Sequence, residues 1–276
     1  MMPTSGCPAA SRWADLRARA LSAAVLAPLS LACIWFGGAV FAALLAVITA
    51  GLAYEWLGLC RQLNPRAIAL FVVLPVTVLV AAWGGAAPAL ALLAAAMIAG
   101  IALAGGISRA RPLAFGVPYL GLAAVALVWL RQPPMSGGAN VIVLLMIVWA
   151  SDIGAYITGR AIGGTLLAPR ISPGKTWSGA IGGLAAAGST GLAASLVLGS
   201  GPISWRPAGF ALLLGVIGQI GDLFESRLKR HFGVKDSGTT IPGHGGLLDR
   251  LDAVLTAAPT AALLALIVGR GVVLWE

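Results

Sequence analysis

Residues 207–232 read PAGFALLLGVIGQIGDLFESRLKRHF. The first half is apolar apart from Gln219, and the second half is ionic. Taken as one α-helix, the stretch is about 39 Å long at 1.5 Å per residue. The hydrocarbon core of a bilayer is about 30 Å thick. Such a helix crosses a membrane and carries a polar stripe to its surface. Gly215, Gly218 and Gly221 recur at three-residue spacing. Asp222, Glu225, Ser226 and Lys229 follow at three- and four-residue spacing on a neighbouring face. The pattern predicts glycines opening a cavity, with a stripe that a lipid headgroup and a water-soluble molecule can both reach. The plain alternative is a solvated helix end laced with charge pairs.

The rest of the chain agrees with a membrane setting. Of 276 residues, 59% are hydrophobic and 10% charged, with a mean hydropathy of +0.95. Soluble domains carry about 25% charged residues. The composition argues against a soluble enzyme, a disordered chain and a nucleic-acid partner, despite a pI near 10.5. Apolar runs broken by Gly, Pro and charge predict an all-α, polytopic integral membrane protein of about nine transmembrane helices. They lie near 20–36, 39–59, 67–84, 88–107, 113–130, 139–158, 179–199, 207–225 and 253–274, the first being an uncleaved helix instead of a signal peptide. With the N-terminus cytoplasmic, 15 of the 18 Lys and Arg residues fall in cytoplasmic segments and 3, namely Arg131, Arg206 and Arg270, on the other side. Positive charge collects on the cytoplasmic side of membrane proteins. The bias supports that orientation, with the site facing the cytoplasm, and a bacterial plasma (inner) membrane is the expected location because no targeting sequence is read in the chain. Cys7, Cys33 and Cys60 lack metal-ligand spacing.

Residues 1–138 are expected to form N-terminal scaffold helices. Residues 139–276 are expected to form a C-terminal catalytic region with cytoplasmic polar loops, all in one integral unit. Six of nine acids lie between residues 152 and 252: Asp152, Asp222, Glu225, Asp236, Asp249 and Asp252. The one acid inside the first five spans is Glu55, with a hydrogen bond between helices or an interfacial position beside Trp56 as its expected part and a catalytic role as the lesser alternative.

The segment 226–252 reads SRLKRHFGVKDSGTTIPGHGGLLDRLD. Its glycines permit close backbone approach to a ligand, and Asp249 and Asp252 share one face of the next helix start. Carboxylates mixed with Lys and Arg suit a phosphate substrate: the carboxylates hold a divalent cation and the cations neutralise phosphate oxygens. An earlier loop, Ile171-Ser172-Pro173-Gly174-Lys175-Thr176-Trp177, is not a P-loop, because Pro169 stands where that motif needs glycine. The chain has only three lysines, Lys175, Lys229 and Lys235, and all fall in these two segments. The glycines of 179–183 fit close helix packing.

These residues resemble the phosphatidate cytidylyltransferase (CDP-diacylglycerol synthase) family. Its signature is filled by Ser226, Lys229, Arg230, Lys235, Asp236, Pro242, Gly243, His244, Gly245, Gly246, Asp249, Arg250 and Asp252. Gly221-Asp222 precedes it. Two further elements match at Asp152, Gly154, Ala155 and Tyr156, and at Ser172, Pro173, Lys175, Thr176 and Trp177. Ser178 stands where many members have Glu. The resemblance covers about residues 150–252.

The resemblance implies conversion of CTP and phosphatidic acid to CDP-diacylglycerol and pyrophosphate with Mg²⁺, and leaves room for a second metal ion. It implies Asp222 and Asp249 as metal ligands, with Asp236 and Asp252 in support. Lys175, Lys229, Arg230, Lys235 and Arg250 would share the phosphates. Ser172, Thr176 and Ser226 would join the substrate site, and His244, Gly245 and Gly246 would shape the nucleotide loop. CTP, phosphatidic acid and membrane lipids are the expected partners, and a homodimer is an option. Rival readings are an ion-coupled transporter and a non-catalytic relative. A transporter would place polar residues at the midplane on paired broken helices, a pattern the chain lacks. A CDP-alcohol phosphotransferase would need Gly where Ala253 follows Asp252.

Overall fold

The computed structural model describes residues 24–103, 106–133, 136–199, 204–238, 240–241 and 245–268. Helical segments occupy each expected apolar run: α1 (Ala24–Phe36), α2 (Gly38–Leu59), α3 (Pro65–Phe71), α4 (Val73–Gly84), α5 (Ala86–Leu103), α6 (Ile107–Arg131), α7 (Gly137–Ile162), α8 (Trp177–Leu198), α9 (Arg206–His231) and α10 (Leu248–Val268). Among the described residues, seven spans are long and apolar enough to cross a membrane, with α3 and α4 counted as one. Ala24–Phe36 and Ala86–Ala102 are apolar but shorter. The all-α expectation holds, and seven of the nine expected crossings meet the length and hydropathy of a membrane span among the described residues.

Local chemistry explains the breaks. Asn64 caps α3, accepting from the Ala67 amide at 3.0 Å, and Pro65 follows at the first helical position. Pro75 cannot donate to the Phe71 carbonyl, which fits the interruption at Val72 that divides α3 from α4. Where α1 meets α2, the Arg131 guanidinium donates to the carbonyls of Ile34 (2.6 Å) and Trp35 (2.8 Å). A cation at a helix C-terminus satisfies carbonyls that lack intrahelical partners. Helix α9 ends in a Schellman turn. Gly233, at φ 74°, donates to the Arg230 carbonyl, and Val234 donates to the Lys229 carbonyl.

Two groups of helices meet along α6 and α10. Helices α2, α4, α5 and α6 pack together, as do α7, α8, α9 and α10, and α10 also packs on α6. In lipid there is little hydrophobic gain between helices, so small residues that allow close van der Waals contact matter most. A Cβ on Gly154 would lie 2.6 Å from Ala186 Cβ, and one on Gly179 would lie 2.8 Å from the Ala155 carbonyl oxygen. The predicted packing role of the 179–183 glycines is therefore met. The α9 glycines differ from expectation. Gly215 faces Ala187 of α8, while Gly218 and Gly221 face Ala253 and Thr256 of α10. They form a packing seam and do not open a cavity.

The loop at 163–176 is structured. Strands β1 (Leu166–Ala168) and β2 (Ser172–Thr176) form an antiparallel hairpin, with Leu166 opposite Thr176 and Ala168 opposite Ser172. It folds Lys175 back over α9.

Candidate functional site

The polar residues gather at one end of α7, α9 and α10, in two linked clusters. The first lies in a cavity of about 480 Å³ whose lining includes Asp152, Tyr156, Arg160, Lys175, Thr176, Gln219 and Asp222. Lys175, on β2, forms an ion pair with Asp222 of α9. The other Asp222 oxygen accepts from the Ser226 hydroxyl at 3.5 Å. Thr176 caps α8, accepting from the Gly179 amide at 3.1 Å. Ser178 donates to the Gly163 carbonyl at 2.5 Å and lies 3.0 Å from the Thr176 hydroxyl. In this chain Ser178 thus closes the base of the hairpin. Gln219 donates to Ser151 (3.3 Å) and to the Ala180 carbonyl (3.1 Å), which ties α7, α8 and α9 together behind the cavity.

The second cluster lies two turns further along α9. Lys229 donates to Asp249 at 2.7 Å and to Glu225 at 3.4 Å. Asp249 also accepts from the backbone amides of Ser237 (3.0 Å) and Gly246 (3.0 Å). Both Asp249 oxygens are therefore engaged. Asp252, one turn beyond Asp249 on α10, lies within electrostatic range of Asp222, Glu225 and Asp152, and so links the clusters. Its Oδ1 accepts from the Ala253 amide at 2.7 Å. Glu225 is 1% exposed, and its Oε1 lacks a hydrogen-bond partner among the described residues. The Tyr119 hydroxyl, also buried and unpartnered there, is electrostatically coupled to Glu225 and Asp252.

The sequence-predicted residues divide accordingly. Lys175, Thr176, Asp222 and Ser226 come together, as do Lys229, Asp249 and Gly246, with Asp252 between them. Ser172 lies at the start of β2. Arg230, Lys235, Asp236 and Arg250 are exposed at the polar edge, and Arg230 donates to the Val234 carbonyl at 3.5 Å. Gly245 bridges back to Ile241. His244, with Pro242 and Gly243, lies outside the described residues. The sequence reading noted Glu225 in the polar stripe but left it out of the site. Tyr156, matched with Asp152 in the resemblance, lines the cavity, as do Arg160 and Gln219, which lie at helical intervals from Asp152 and Asp222 that could have flagged them. Ser237 and Tyr119 gave no signal of their own.

The donor set suits a hard divalent cation. Mg²⁺ is usually held by one or two carboxylates plus substrate phosphates and waters, and the carboxylates of Asp222, Asp249 and Asp252 are oxygen donors of that kind. Glu225, paired with Lys229 through Oε2, adds a further buried carboxylate oxygen beside them. Among the described residues, no group of three or more His, Cys, Asp or Glu stands ready to enclose a metal. A cation here would need phosphate oxygens to complete its shell.

An apolar helical bundle with paired lysines and carboxylates at one polar end is a scaffold for phosphate chemistry at a membrane surface, and the chain belongs to the cytidylyltransferase family, whose profile matches residues 17–268. It is similar to the phosphatidate cytidylyltransferase of Brucella suis, 42% identical over 248 residues, 88% of this chain and 91% of the relative. The Pseudomonas aeruginosa phosphatidate cytidylyltransferase is 40% identical over 171 residues, 59% of this chain and 60% of the relative. That of Staphylococcus aureus is 40% identical over 148 residues, 54% and 56%.

Proposed function

We propose that the chain is an enzyme transferring the cytidylyl group of CTP to phosphatidic acid, releasing pyrophosphate and forming CDP-diacylglycerol. The single observation that supports this most is the α9 stripe. It presents Asp222 paired with Lys175 and Lys229 paired with Asp249 at the end of an apolar bundle, beside a cavity with room for a nucleotide.

The chemistry follows from the charges. A phosphate oxygen of the lipid attacks the α-phosphorus of CTP in line. The new P–O bond forms as the bond to the bridging α–β oxygen breaks, and pyrophosphate leaves with that electron pair. Both reactants are anionic, so the protein's work is alignment and charge neutralisation. The ammonium groups of Lys175 and Lys229 meet phosphate oxygens by exchanging their carboxylate partners. Arg230, Lys235 and Arg250, at the polar edge, attract the triphosphate. Ser172, Thr176 and Ser226 offer hydroxyl donors, and His244, Gly245 and Gly246 border the nucleotide. Asp236 and Asp252 support the carboxylate set. No general base is needed, since a phosphate monoester is largely ionised near pH 7.

The same proposal includes Mg²⁺ held by Asp222 and Asp249, with a second metal ion as an option. When bound, it supplies Lewis-acid stabilisation of the phosphate oxygens. It also includes nine crossings with the N-terminus and the site on the cytoplasmic side of a bacterial inner membrane. The one-sided Lys and Arg distribution supports that arrangement. Residues 1–138 act as scaffold and 139–276 carry the chemistry. Assembly as a homodimer is part of the reading, and the mass of the detergent-solubilised particle measures it.

The test is incubation of purified protein with labelled CTP, phosphatidic acid and Mg²⁺. Label is expected in the organic phase for the wild type and at least about a hundredfold less for Asp249→Asn, given typical losses at groups that stabilise transition-state charge. An aqueous-only label from the wild type rejects the activity, and a near-normal Asp249→Asn rejects the role of that carboxylate.

A further inference from the structure

Glu55 lies on α2, in the part of the chain assigned to scaffold, and is 3% exposed. Its carboxylate is filled by one distant stretch of chain. Oε1 accepts from the Leu247 amide at 2.7 Å and from the Thr240 hydroxyl. Oε2 accepts from the Leu248 amide at 2.8 Å and from the Ser237 hydroxyl at 3.1 Å. A carboxylate offers about four lone-pair sites, and all four go to this segment. The Leu247 and Leu248 amides belong to the N-terminus of α10, where amides lack intrahelical partners. Glu55 thus caps, from another helix, an element 192 residues away in sequence. Its negative charge also suits the positive end of the α10 dipole.

The same segment holds Asp249. Ser237 donates its amide to Asp249 and its hydroxyl to Glu55. Gly246 donates its amide to Asp249 and lies against Glu55, where a Cβ would come 2.8 Å from Oε2. A Cβ on Gly238 would come 3.1 Å from Oε1. Asp249 in turn receives Lys229 at 2.7 Å. A continuous chain of hydrogen bonds runs from Glu55 to the paired lysine.

We propose that Glu55 is a positioning residue. By holding Ser237, Thr240, Leu247 and Leu248, it sets where α10 begins and hence where the Asp249–Lys229 pair meets substrate. Its part in catalysis rests on the cytidylyltransferase reading above. Glu55 itself touches no reacting atom.

The test uses the full chain in detergent with Glu55→Gln, Ser237→Ala and Thr240→Val. Gln keeps the size of Glu but turns one end into a donor that faces other donors. Two quantities are measured: kcat and KM for CTP and phosphatidic acid, and amide hydrogen exchange resolved at Ser237, Leu247, Leu248 and across α6 and α7. For Glu55→Gln, kcat is expected to fall about tenfold or more while KM for CTP stays within about threefold. Exchange should rise at Leu247 and Leu248 with α6 and α7 unchanged. Ser237→Ala and Thr240→Val should each lower kcat by about two- to tenfold. Each, combined with Glu55→Gln, should lose less than the product of the single effects. A wild-type kcat in Glu55→Gln overturns the proposal. So does exchange rising throughout α6 and α7 while Ser237→Ala and Thr240→Val keep full kcat, because Glu55 would then be a general packing residue. If the wild type makes no CDP-diacylglycerol, the cytidylyltransferase reading fails. The exchange at Leu247 and Leu248 then decides the clamp alone: faster exchange in Glu55→Gln supports it, and unchanged exchange overturns it.

Discussion

Lys229 sits between two carboxylates, Glu225 at 3.4 Å and Asp249 at 2.7 Å, with a side chain only 12% exposed. A compact ammonium can face both and swing to a phosphate; a planar guanidinium on a longer stem is committed to a fork geometry. Lys229→Arg is therefore expected to lower kcat by about tenfold or more, because a misplaced charge loses transition-state stabilisation. Unchanged turnover in the labelled-CTP assay would show that charge alone suffices. Lys229→Met leaves Asp249 and Glu225 without their ammonium. Breaking a buried pair from one side costs about 3–5 kcal/mol, so this variant should unfold in detergent at a clearly lower temperature than Lys229→Arg. The confinement of the three lysines to two polar segments was visible in sequence. Which carboxylate each lysine meets was not, since Asp222, Glu225, Asp249 and Asp252 are chemically alike on paper.

The seam between α9 and α10 is held by absence of side chain. A Cβ on Gly221 would approach Thr256 Cγ2 to 2.9 Å and the Asp252 carbonyl oxygen to 3.0 Å. The Thr256 hydroxyl crosses the seam to the Ile217 carbonyl at 3.1 Å. Gly221→Ala is expected to destabilise by about 1–3 kcal/mol, as overpacking does. It should also lower activity by pushing Asp252 and Asp222 apart. A thermal-unfolding series of Gly221→Ala beside Gly209→Ala checks this, since a Cβ on Gly209 meets nothing within 4 Å. Equal midpoints would contradict the packing account. The length and amphipathic end of α9 were legible because apolar length and charge spacing lie along one helix. The use of its glycines was not, because one helix's pattern does not say whether a neighbour or a ligand fills the groove. The β1–β2 hairpin was also missed; its strands are too short to show a period.

At the scale of the molecule, orientation is the open property with the most direct measurement. Gly174 is exposed on the hairpin beside Lys175, and a side chain there meets nothing within 4 Å. In a Cys7→Ser background, Gly174→Cys is expected to react with an impermeant maleimide only after the inner membrane is opened. Labelling of intact spheroplasts would reverse the proposed topology. The remaining thiols give little background: Cys33 is buried, and burial pushes the Cys60 thiol up to about 12, where almost none is thiolate.

The linear chain determined the apolar spans, the polar end of α9 and the set of residues from which a phosphate site could be built. A bilayer imposes helix length and expels charge, so hydropathy alone carries that information. Tertiary structure decided the pairing of Lys175 with Asp222 and of Lys229 with Asp249. It turned the glycine stripe into a seam and brought Glu55 onto the start of α10. Those outcomes depend on distances between helices, and no spacing within a single helix encodes them.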